Sequence, residues 1–486
     1  MCGKGSEIAV PGNPRGGVVC VKLGPPCVCA QCPPQDSECA GPCIDLLPIH
    51  DFCVICALQF MKHTNTGQTM VIRDIISQQR EEMKDRIRER YVERIACIPE
   101  GDDALIRVIT GPRRAGKSFL AMHLIHAREP HGYVNFDHEQ LIDVDSYDEL
   151  MAAVNAVYDN PKHLLLDEIQ NLPRWELLVN RLQRQGFHLF LTGSNAHLLS
   201  SELAPHLTGR HIPIVLFPFT FQEYVAAVDK EFTATERQQA FLTYLERGGM
   251  PEPLVRDMEW VGYLRTLWDS ILYKDIVRRH RIRSVAGLED LATYLLTNMA
   301  SEFSARRLTE VTQCRSVHTV QKYIGHLSEA FLFFTISRFS PKARAQAKAN
   351  KKIYCIDNGF VTARGFRISE NRGPLLENLV AIALQRERIQ DHTEIYYWKG
   401  PQQQEVDFAV RVGGRFTQLI QVCWDPQEIG TRSREVRALI HASQALSCED
   451  LVVLTAAMKT EETVEWFGAK RLIRYVPFTE WVAART

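Results

Sequence analysis

The sequence predicts an α/β protein with a parallel sheet at its core and two smaller modules after it. Three observations support this prediction. Short apolar runs alternate with helical patterns between about residues 105 and 217, a glycine-rich loop joins the first run to the first helix, and the chain ends in a second mixed region of helices and strands. Alternation of this kind is typical of a parallel sheet covered by helices on both faces.

Length and charge bound the classes of protein that the chain can represent. Its 486 residues allow about three domains. A formal net charge of −1 excludes a generally basic, nucleic-acid-coating protein, so any basic surface is local. No apolar run reaches the length of a membrane span, and the first residues lack the pattern of a signal peptide. We expect a cytoplasmic protein.

Residues 1–69 differ in composition from everything that follows. They are rich in Pro and Gly and carry nine of the 14 cysteines. Cys29-x-x-Cys32 and Cys53-x-x-Cys56 are spaced like a pair of zinc knuckles. Two interpretations are open: a zinc site, or a poorly ordered extension outside the working protein. From Met70 to about Ile98 the pattern predicts a long charged helix beside the core.

The glycine-rich loop fits a phosphate-binding pattern at every fixed position. It reads Gly111-Pro-Arg-Arg-Ala-Gly116-Lys117-Ser118 and matches G-x-x-x-x-G-K-[ST]. The glycines allow backbone N–H groups to point at phosphate oxygens, and Lys117 reaches the β- and γ-phosphates. The hydroxyl of Ser118 is a ligand for magnesium. The predicted nucleotide-binding residues are Gly111, Pro112, Arg113, Arg114, Ala115, Gly116, Lys117, Ser118 and Phe119.

Polar residues follow the predicted strands after the loop. Four further strands are predicted at Tyr133–Phe136, His163–Glu168, Phe187–Asn195 and Ile212–Phe217. Ligands bind where parallel strands end, so Asp167 is expected to hold Mg²⁺ together with Ser118. Glu168 is placed to orient or deprotonate the attacking water, and Ser194 or Asn195 to hydrogen-bond that water or the γ-phosphate. Arg210 is either a surface arginine or a residue that neutralises transition-state charge, in cis or in trans.

Four segments together resemble one family of enzymes. GPRRAGKS, LLLDEIQNLPRWE, LFLTGSNAHLLS and ELAPHLTGR are similar to the AAA-superfamily ATPases of archaea and bacteria that carry a C-terminal domain of unknown function. The resemblance covers about residue 70 to the end. It implies an AAA-type core with a strand inserted between the loop strand and the Asp-Glu strand. It also implies Glu168 as the catalytic acid residue and Asn195 as the polar sensor.

The sequence after the core predicts a helical region and then a winged helix. Residues 229–283 are predicted to be a mostly helical lid or linker, broken at Gly248-Gly249. Residues 284–360 show helix-turn-helix spacing, with Ser316 as the expected N-cap of the third helix. Residues 338–352 hold six bases and no acid, which suits a basic hairpin wing. Winged helices bind DNA or pack between domains, and both interpretations are open.

Residues 361–486 are similar to the restriction-endonuclease fold. Active members bind metal through a helix Glu, an Asp and a Glu-x-Lys pair. Glu377 and Asp407 match the first two, but Gln421 and Cys423 stand in place of the pair. We therefore expect a degenerate domain with neither the last metal ligand nor the cationic residue.

The expected domains are a Cys-rich extension (1–69), an AAA-type P-loop core (70–228), a lid or linker (229–283), a winged helix (284–360) and the degenerate nuclease-like domain (361–486). The expected activity is ATP hydrolysis with Mg²⁺, coupled to a conformational change of the C-terminal modules. An ATP-gated switch with little turnover is the alternative, and an active nuclease is less favoured. Besides ATP, the expected partners are DNA at the winged helix and an unidentified protein, and an oligomer is compatible with the sequence.

Overall fold

The structure is a computed structural model that describes residues 71–96, 98, 105–142, 144, 146–194, 210–365, 372–427, 429–466 and 468–485. Its helices, in chain order, are α1 (Ile72–Ile87), α2 (Lys117–His126), α3 (Glu139–Ile142), α4 (Tyr147–Tyr158), α5 (Trp175–Arg184), α6 (Phe221–Val228), α7 (Ala234–Arg247), α8 (Pro251–Val255), α9 (Trp260–Ser270), α10 (Val285–Thr297), α11 (Ala305–Val311), α12 (Val317–Glu329), α13 (Ala343–Lys348), α14 (Asn358–Arg364), α15 (Gly373–Gln390), α16 (Ile429–Leu446) and α17 (Phe478–Ala483). Its strands are β1 (Ile106–Thr110), β2 (His131–Asn135), β3 (His163–Asp167), β4 (His188–Gly193), β5 (His211–Val215), β6 (Glu302–Phe303), β7 (Phe333–Arg338), β8 (Lys351–Cys355), β9 (Glu394–Lys399), β10 (Glu405–Val412), β11 (Arg415–Val422), β12 (Leu451–Thr455), β13 (Thr460–Trp466) and β14 (Ala469–Pro477).

The first sheet is the parallel sheet that the sequence predicts. Its five strands run in the order β2-β3-β4-β1-β5, and every pair is parallel. β4 lies between β1 and β3, which is the inserted strand that the family resemblance implies. Apolar side chains from all five strands are buried with those of the covering helices. Because the strands are parallel, the loops after β1, β3 and β4 lie together at the carboxyl ends of the strands.

Helix α1 covers the edge of this sheet as expected, but it ends at Ile87, whereas the pattern predicts a helix to about Ile98. Ile75 and Ile76 of its apolar face are buried in the core. The buried Gln79 donates from Nε2 to the Asn135 carbonyl at 2.9 Å and accepts the Asn135 N–H at 3.0 Å. The amide therefore satisfies both backbone groups at the end of the edge strand, which blocks further strand pairing there.

Residues 229–283 are mostly helical, as predicted, but one helix changes its winding. α9 continues without a break into a π-helical segment, Ile271–Arg278. π-Helical turns are uncommon and are found frequently at functional sites. Gly248 and Gly249 separate α7 from α8, which matches the predicted break.

The C-terminal strands form one sheet that crosses the expected domain boundary at residue 360. Nine strands run in the order β13-β14-β12-β11-β10-β9-β7-β8-β6. β7 pairs in parallel with β9, so strands from both sides of residue 360 are hydrogen-bonded neighbours. One hydrophobic cluster also extends from Phe217 to Val482. The expected separation into two domains at this position is therefore wrong, because the same sheet and core serve both parts.

Residues 284–360 contain the predicted three helices, and the side chain of Ser316 accepts the Thr319 N–H at the start of α12. The basic run joins β7 to β8, which pair antiparallel, so the predicted hairpin is present. Its tip is the short helix α13, which carries exposed basic side chains, and Phe339 packs edge-on against Phe416 with ring centroids 4.7 Å apart. Lys352 differs from the expectation, because it is buried rather than surface-exposed. Phe339 and Lys352 thus anchor the two ends of this segment to the second sheet.

Within the described ranges, no helix combines the length and the apolar composition of a membrane span. The cysteine pairs proposed to bind zinc lie outside the described residues.

Candidate functional site

The glycine-rich loop follows β1 and ends at the first turn of α2. Gly111 has φ 147°, and a Cβ there would lie 2.0 Å from the Leu216 carbonyl oxygen. Gly116, the N-cap of α2, has φ 93°. A side chain would clash at the first position and strain the backbone at the second. The loop geometry therefore explains why the pattern requires both glycines.

Lys117 is the cation inside the loop. It is buried, and its Nζ donates to the Pro112 carbonyl at 2.9 Å. Burial lowers the pKa of Lys117, while the carboxylates of Glu168 and Asp167 oppose that shift. The ammonium is satisfied by one carbonyl of its own loop, which phosphate oxygens are able to replace.

Ser118 and Asp167 meet as the sequence predicts. The Ser118 hydroxyl donates to Asp167 Oδ1 at 2.8 Å, and the Tyr133 hydroxyl donates to Oδ2 at 3.1 Å. Burial and the neighbouring Glu168 raise the pKa of Asp167, and these hydrogen bonds oppose the rise. A hydroxyl beside a carboxylate is the hard-oxygen donor set that Mg²⁺ takes in phosphate sites. These residues therefore fit the implied ion.

Glu168 occupies a turn rather than a continuing strand. Its φ of 51° ends β3, and its N–H donates to Thr192 Oγ1 at 3.0 Å. The Thr192 hydroxyl in turn donates to Asp167 Oδ1, so β4 fixes both acids. Gln170 and Ser194 donate to the Glu168 carboxylate, Ser194 at 3.4 Å. The carboxylate thus faces the same edge as the loop.

A cleft of about 450 Å³ opens beside the loop. Lys117, Ser118, Asp167 and Glu168 all line it. The other walls mix charged side chains with apolar and aromatic ones from the segment after α1, from α2 and from the helices downstream: Tyr91, Val92, Phe119, Phe219 and Val255. Charged groups beside aromatic surface suit a ligand with phosphates and a planar base.

Arg94 supports the loop, and the sequence analysis assigned it no role. Its guanidinium donates to the Ala115 carbonyl at 2.7 Å, to the Phe217 carbonyl at 2.6 Å and to Glu223 Oε1 at 2.9 Å. Burial alone would raise the pKa of Glu223, but Arg94 and Arg386 lower it. Arg94 therefore fixes the backbone of the loop from outside the motif, where no local pattern marks it.

Two arginines of the loop reach the helices that follow the first sheet. Arg113 donates from Nε and Nη2 to the Asp275 carboxylate at 3.0 and 2.9 Å. This hydrogen-bonded pairing raises the pKa of Arg113. Arg114 lies 3.4 Å from Glu252 Oε2. The loop is thus joined to α8 and to the π-helical segment.

Asn195 and Arg210 are the other two residues predicted to be catalytic. Asn195 lies outside the described residues. Arg210 is exposed and precedes β5, and its carbonyl accepts the Ile106 N–H at 3.0 Å. Ile106 begins β1, whereas Gly111 follows the other end of that strand. The expectation that Arg210 acts in cis is therefore wrong, because Arg210 lies at the amino-terminal ends of the strands and the loop lies at their carboxyl ends.

A second group of ionised side chains lies in the nine-stranded sheet. Lys352 Nζ lies 2.7 Å from Glu405, 2.9 Å from Asp407 and 3.1 Å from Glu377. Burial, with Asp407 nearby, raises the pKa of Glu377 to about 7. The expectation that this region lacks a cationic residue is wrong, because β8 supplies one where position 423 does not.

Gln421 and Cys423, which stand in place of the expected Glu and Lys, have different surroundings. Gln421 Oε1 accepts the Asp407 N–H at 3.4 Å and so stays with the group. Cys423 packs with Trp398 and Leu439 in another hydrophobic cluster. Burial raises the pKa of its thiol to about 11.

Family comparisons divide the chain into two matched regions. A family described as AAA domain matches residues 103–225, and a domain of unknown function, DUF8612, matches residues 238–370. The first match contains the whole loop and the strand ends around it. The match to an AAA domain supports ATP binding by this part of the chain.

Similar proteins occur in archaea and bacteria. An uncharacterized protein of Methanocaldococcus jannaschii is 32% identical over 396 residues, 77% of this chain and 88% of that protein. An uncharacterized protein of Haemophilus influenzae is 28% identical over 316 residues, 62% of this chain and 78% of that protein. Among solved structures, the Walker-type ATPase of Pyrococcus abyssi has 14% identity and a TM-score of 0.37, covering 61% of this chain and 96% of its own.

Proposed function

Since the chain belongs to the same family as the uncharacterized Methanocaldococcus jannaschii protein, we propose that its AAA domain binds ATP with Mg²⁺ and hydrolyses it. The observation that carries this proposal is the meeting of four side chains at one edge of the first sheet. Lys117 is inside the loop, Ser118 and Asp167 are 2.8 Å apart, and Glu168 faces the same cleft. These are the parts that phosphoryl transfer to water requires.

Each residue has one task in this reaction. The Lys117 ammonium leaves the Pro112 carbonyl for the β- and γ-phosphate oxygens. Ser118 and Asp167 would hold Mg²⁺, which supplies a Lewis acid that neutralises phosphate charge. Glu168 accepts a proton from water as the water oxygen bonds to the γ-phosphorus. The bond from that phosphorus to the β-phosphate oxygen breaks, which yields ADP and phosphate.

The adenine base belongs beside the aromatic walls of the cleft. Tyr91 and Phe119 are among these walls and offer aromatic surface. Tyr91 stacks on His123 at a centroid distance of 3.8 Å, so its ring is held in place. Aromatic faces of this kind suit a planar heterocycle, although charged residues such as Arg90 and Arg256 line the same cleft.

Hydrolysis is proposed to act on the C-terminal modules through the loop itself. Arg113 and Arg114 pair with acids of the downstream helices, so a loop that closes on phosphates changes the position of these contacts. The same contacts favour the second candidate function, an ATP-gated switch in which the two conformations matter more than turnover. Turnover measured with and without a partner separates the two.

DNA is one proposed partner of residues 284–360. The order helix, strand, two helices, two strands, with β6 antiparallel to β8, supports a winged helix. His318 and Lys322 are exposed on the amino-terminal half of α12. α12 and the exposed basic tip of the β7–β8 hairpin are the surfaces proposed to contact DNA. Packing between modules is the other proposed role, and salt-dependent binding of duplex DNA by wild type and Lys322→Ala distinguishes them.

The restriction-endonuclease likeness of residues 361–486 is proposed as a scaffold without cleavage. Helix α15 and strands β9 to β12 supply the order that supports it. Lys352 lies among the carboxylates, where its ammonium competes with a metal ion. We assign this part to docking a protein partner.

Single-turnover hydrolysis of ATP by the full chain tests the proposed function, with Glu168→Gln as the informative variant. Hydrolysis that depends on Glu168 and on Mg²⁺ supports the assignment. Unaltered hydrolysis in this variant moves the reaction to another site.

A further inference from the structure

A cluster of two histidines and one glutamate lies where the π-helical segment meets α12. His326 Nδ1 lies 3.1 Å from Glu329 Oε2, and His280 Nε2 lies 3.4 Å from the same oxygen. His326 and Glu329 are three residues apart on α12, which places them on one helix face. His280 follows the π-helical segment in the chain. Residues distant in sequence thus converge on one carboxylate oxygen.

We infer that His280, His326 and Glu329 form a binding site for a divalent transition-metal ion, Zn²⁺ in the first instance. Two imidazoles and one carboxylate are a zinc ligand set, with a fourth position left for water. One potential ligand atom from each residue lies within 4.8 Å of the other two. Ligand atoms around tetrahedral zinc, at bonds of about 2.0–2.1 Å, lie roughly 3.3–3.4 Å apart. The two nitrogen–oxygen distances are close to that spacing.

The state of His326 is an independent reason to expect a ligand. The residue is buried, and its Nε2 has no hydrogen-bond partner among the described residues. A buried polar atom without a partner commonly marks a water or an ion, so His326 offers an ion either Nδ1, beside Glu329, or Nε2. Its ring stacks on His280 with centroids 3.6 Å apart and planes 20° apart. Because an imidazole binds a metal ion in its own plane, one of the two rings has to turn when a single ion binds both.

The charges around the cluster set its metal preference. Arg278, Arg279 and Arg281 flank His280 and are exposed. Metal binding needs neutral imidazole, and the arginines add positive charge beside the site. The same cations oppose a hard ion that binds through charge alone, whereas Zn²⁺ gains from nitrogen ligands. We therefore expect selectivity for Zn²⁺ or Co²⁺ over Mg²⁺ and Ca²⁺.

A bound ion would fasten two parts of the molecule together. The π-helical segment carries Asp275, which holds Arg113 of the loop. α12 belongs to the region after residue 284. The ion would cross-link these parts and stabilise the folded state by mass action.

The test uses the full chain, stripped of metal with a chelator and then titrated with Co²⁺ and with Zn²⁺. Glu329→Gln removes the shared carboxylate at a partly exposed position, and His280→Asn is the second variant. His318→Ala, an exposed histidine on the same helix, is the matched control. Far-UV circular dichroism checks that each variant folds. Cysteine thiolates are ligands for both ions and residues 1–69 carry nine cysteines, so the readout is the difference between proteins.

The wild type and His318→Ala are expected to bind one more Co²⁺ per chain than Glu329→Gln and His280→Asn. The lost component should lack thiolate-to-metal charge transfer, since its ligands are nitrogen and oxygen. Zn²⁺ should raise the unfolding temperature of the first pair by more than that of the second. Equal metal content and equal thermal shifts in all four proteins would overturn the inference and leave a hydrogen-bonded trio only.

Discussion

Arg113 of the glycine-rich loop and Asp275 of the π-helical segment form a two-point ion pair, with N–O distances of 3.0 and 2.9 Å. The residues are 162 positions apart, so the pair joins the phosphate-binding loop to the helices beyond the first sheet. The Asp275 side chain is 12% exposed and that of Arg113 is 30% exposed. Partial burial makes this pair stronger than a pair in open solvent.

The first prediction concerns the strength of this pair. A double-mutant cycle of Arg113→Ala and Asp275→Ala should give a coupling energy of about 1–3 kcal/mol in urea unfolding. The control is the exposed pair Arg181 and Asp148, for which we expect under about 1 kcal/mol. The coupling should change when ATP is present, since phosphates reposition the loop. Equal coupling energies in the two pairs would show that the Arg113–Asp275 pair is no stronger than the exposed pair.

The second prediction is that Lys117→Ala loses ATP affinity while the protein stays folded. Lys117 is the loop cation directed inward, and no other residue of the loop replaces its ammonium. Calorimetry measures binding, and circular dichroism measures folding. Lys162→Ala is the control, an exposed lysine beside the opposite end of β3. Unchanged affinity in Lys117→Ala would refute the nucleotide assignment.

The third prediction is a pH dependence from Asp357. Its carboxylate accepts the N–H groups of Gly249 at 2.7 Å and Gly359 at 2.8 Å. Burial nevertheless raises the pKa of Asp357 from 3.8 to about 7. The folded state then holds this proton more tightly than the unfolded chain does. The stabilising contribution is complete below pH about 4 and is lost as the pH rises to about 7.

The measurement for Asp357 is the free energy of unfolding of wild type and Asp357→Asn between pH 4 and pH 8. The wild type should lose about 2–4 kcal/mol relative to the variant over this range. Asp391→Asn, at an exposed position, should show a flat difference. A flat difference for Asp357→Asn as well would contradict the raised pKa.

The fourth prediction is that residues 361–486 do not cut nucleic acid. Lys352 Nζ lies 2.9 Å from Asp407 and 3.1 Å from Glu377, so an ammonium occupies the space among the carboxylates. Gln421 offers a neutral amide where a third acid would help to hold a metal ion. Cleavage assays use single-stranded, duplex and branched DNA and RNA with Mg²⁺ or Mn²⁺. Cutting that disappears in Asp407→Ala but survives in Lys117→Ala would show an active nuclease.

Local patterns predicted the first sheet and most of its site. The loop motif, the strand before it and the acids at Asp167 and Glu168 each depend on residues close in sequence. Arg94 escaped detection because its three acceptors come from distant segments. The periodicity of apolar residues does not reveal contacts between segments that are distant in sequence.

Local sequence patterns also do not predict which strands pair with each other. The basic run at residues 338–352 predicted an exposed hairpin, and its tip is exposed, but Lys352 is buried against carboxylates from β10 and α15. The pairing of β7 with β9 depends on contacts across about 60 residues of chain, which alternation of apolar residues does not reveal. The predicted boundary at residue 360 and the predicted cis role of Arg210 were wrong for the same reason.

Single-turnover hydrolysis by Glu168→Gln tests the central claim most directly. The full chain in excess over ATP, with Mg²⁺, should hydrolyse ATP about 10²–10⁴-fold more slowly in this variant than in wild type. ATP affinity should be kept, because Lys117 and Ser118 remain, and Glu149→Gln, an exposed acid in α4, should behave as wild type. Hydrolysis at the wild-type rate in Glu168→Gln, with ATP bound normally, would contradict the account.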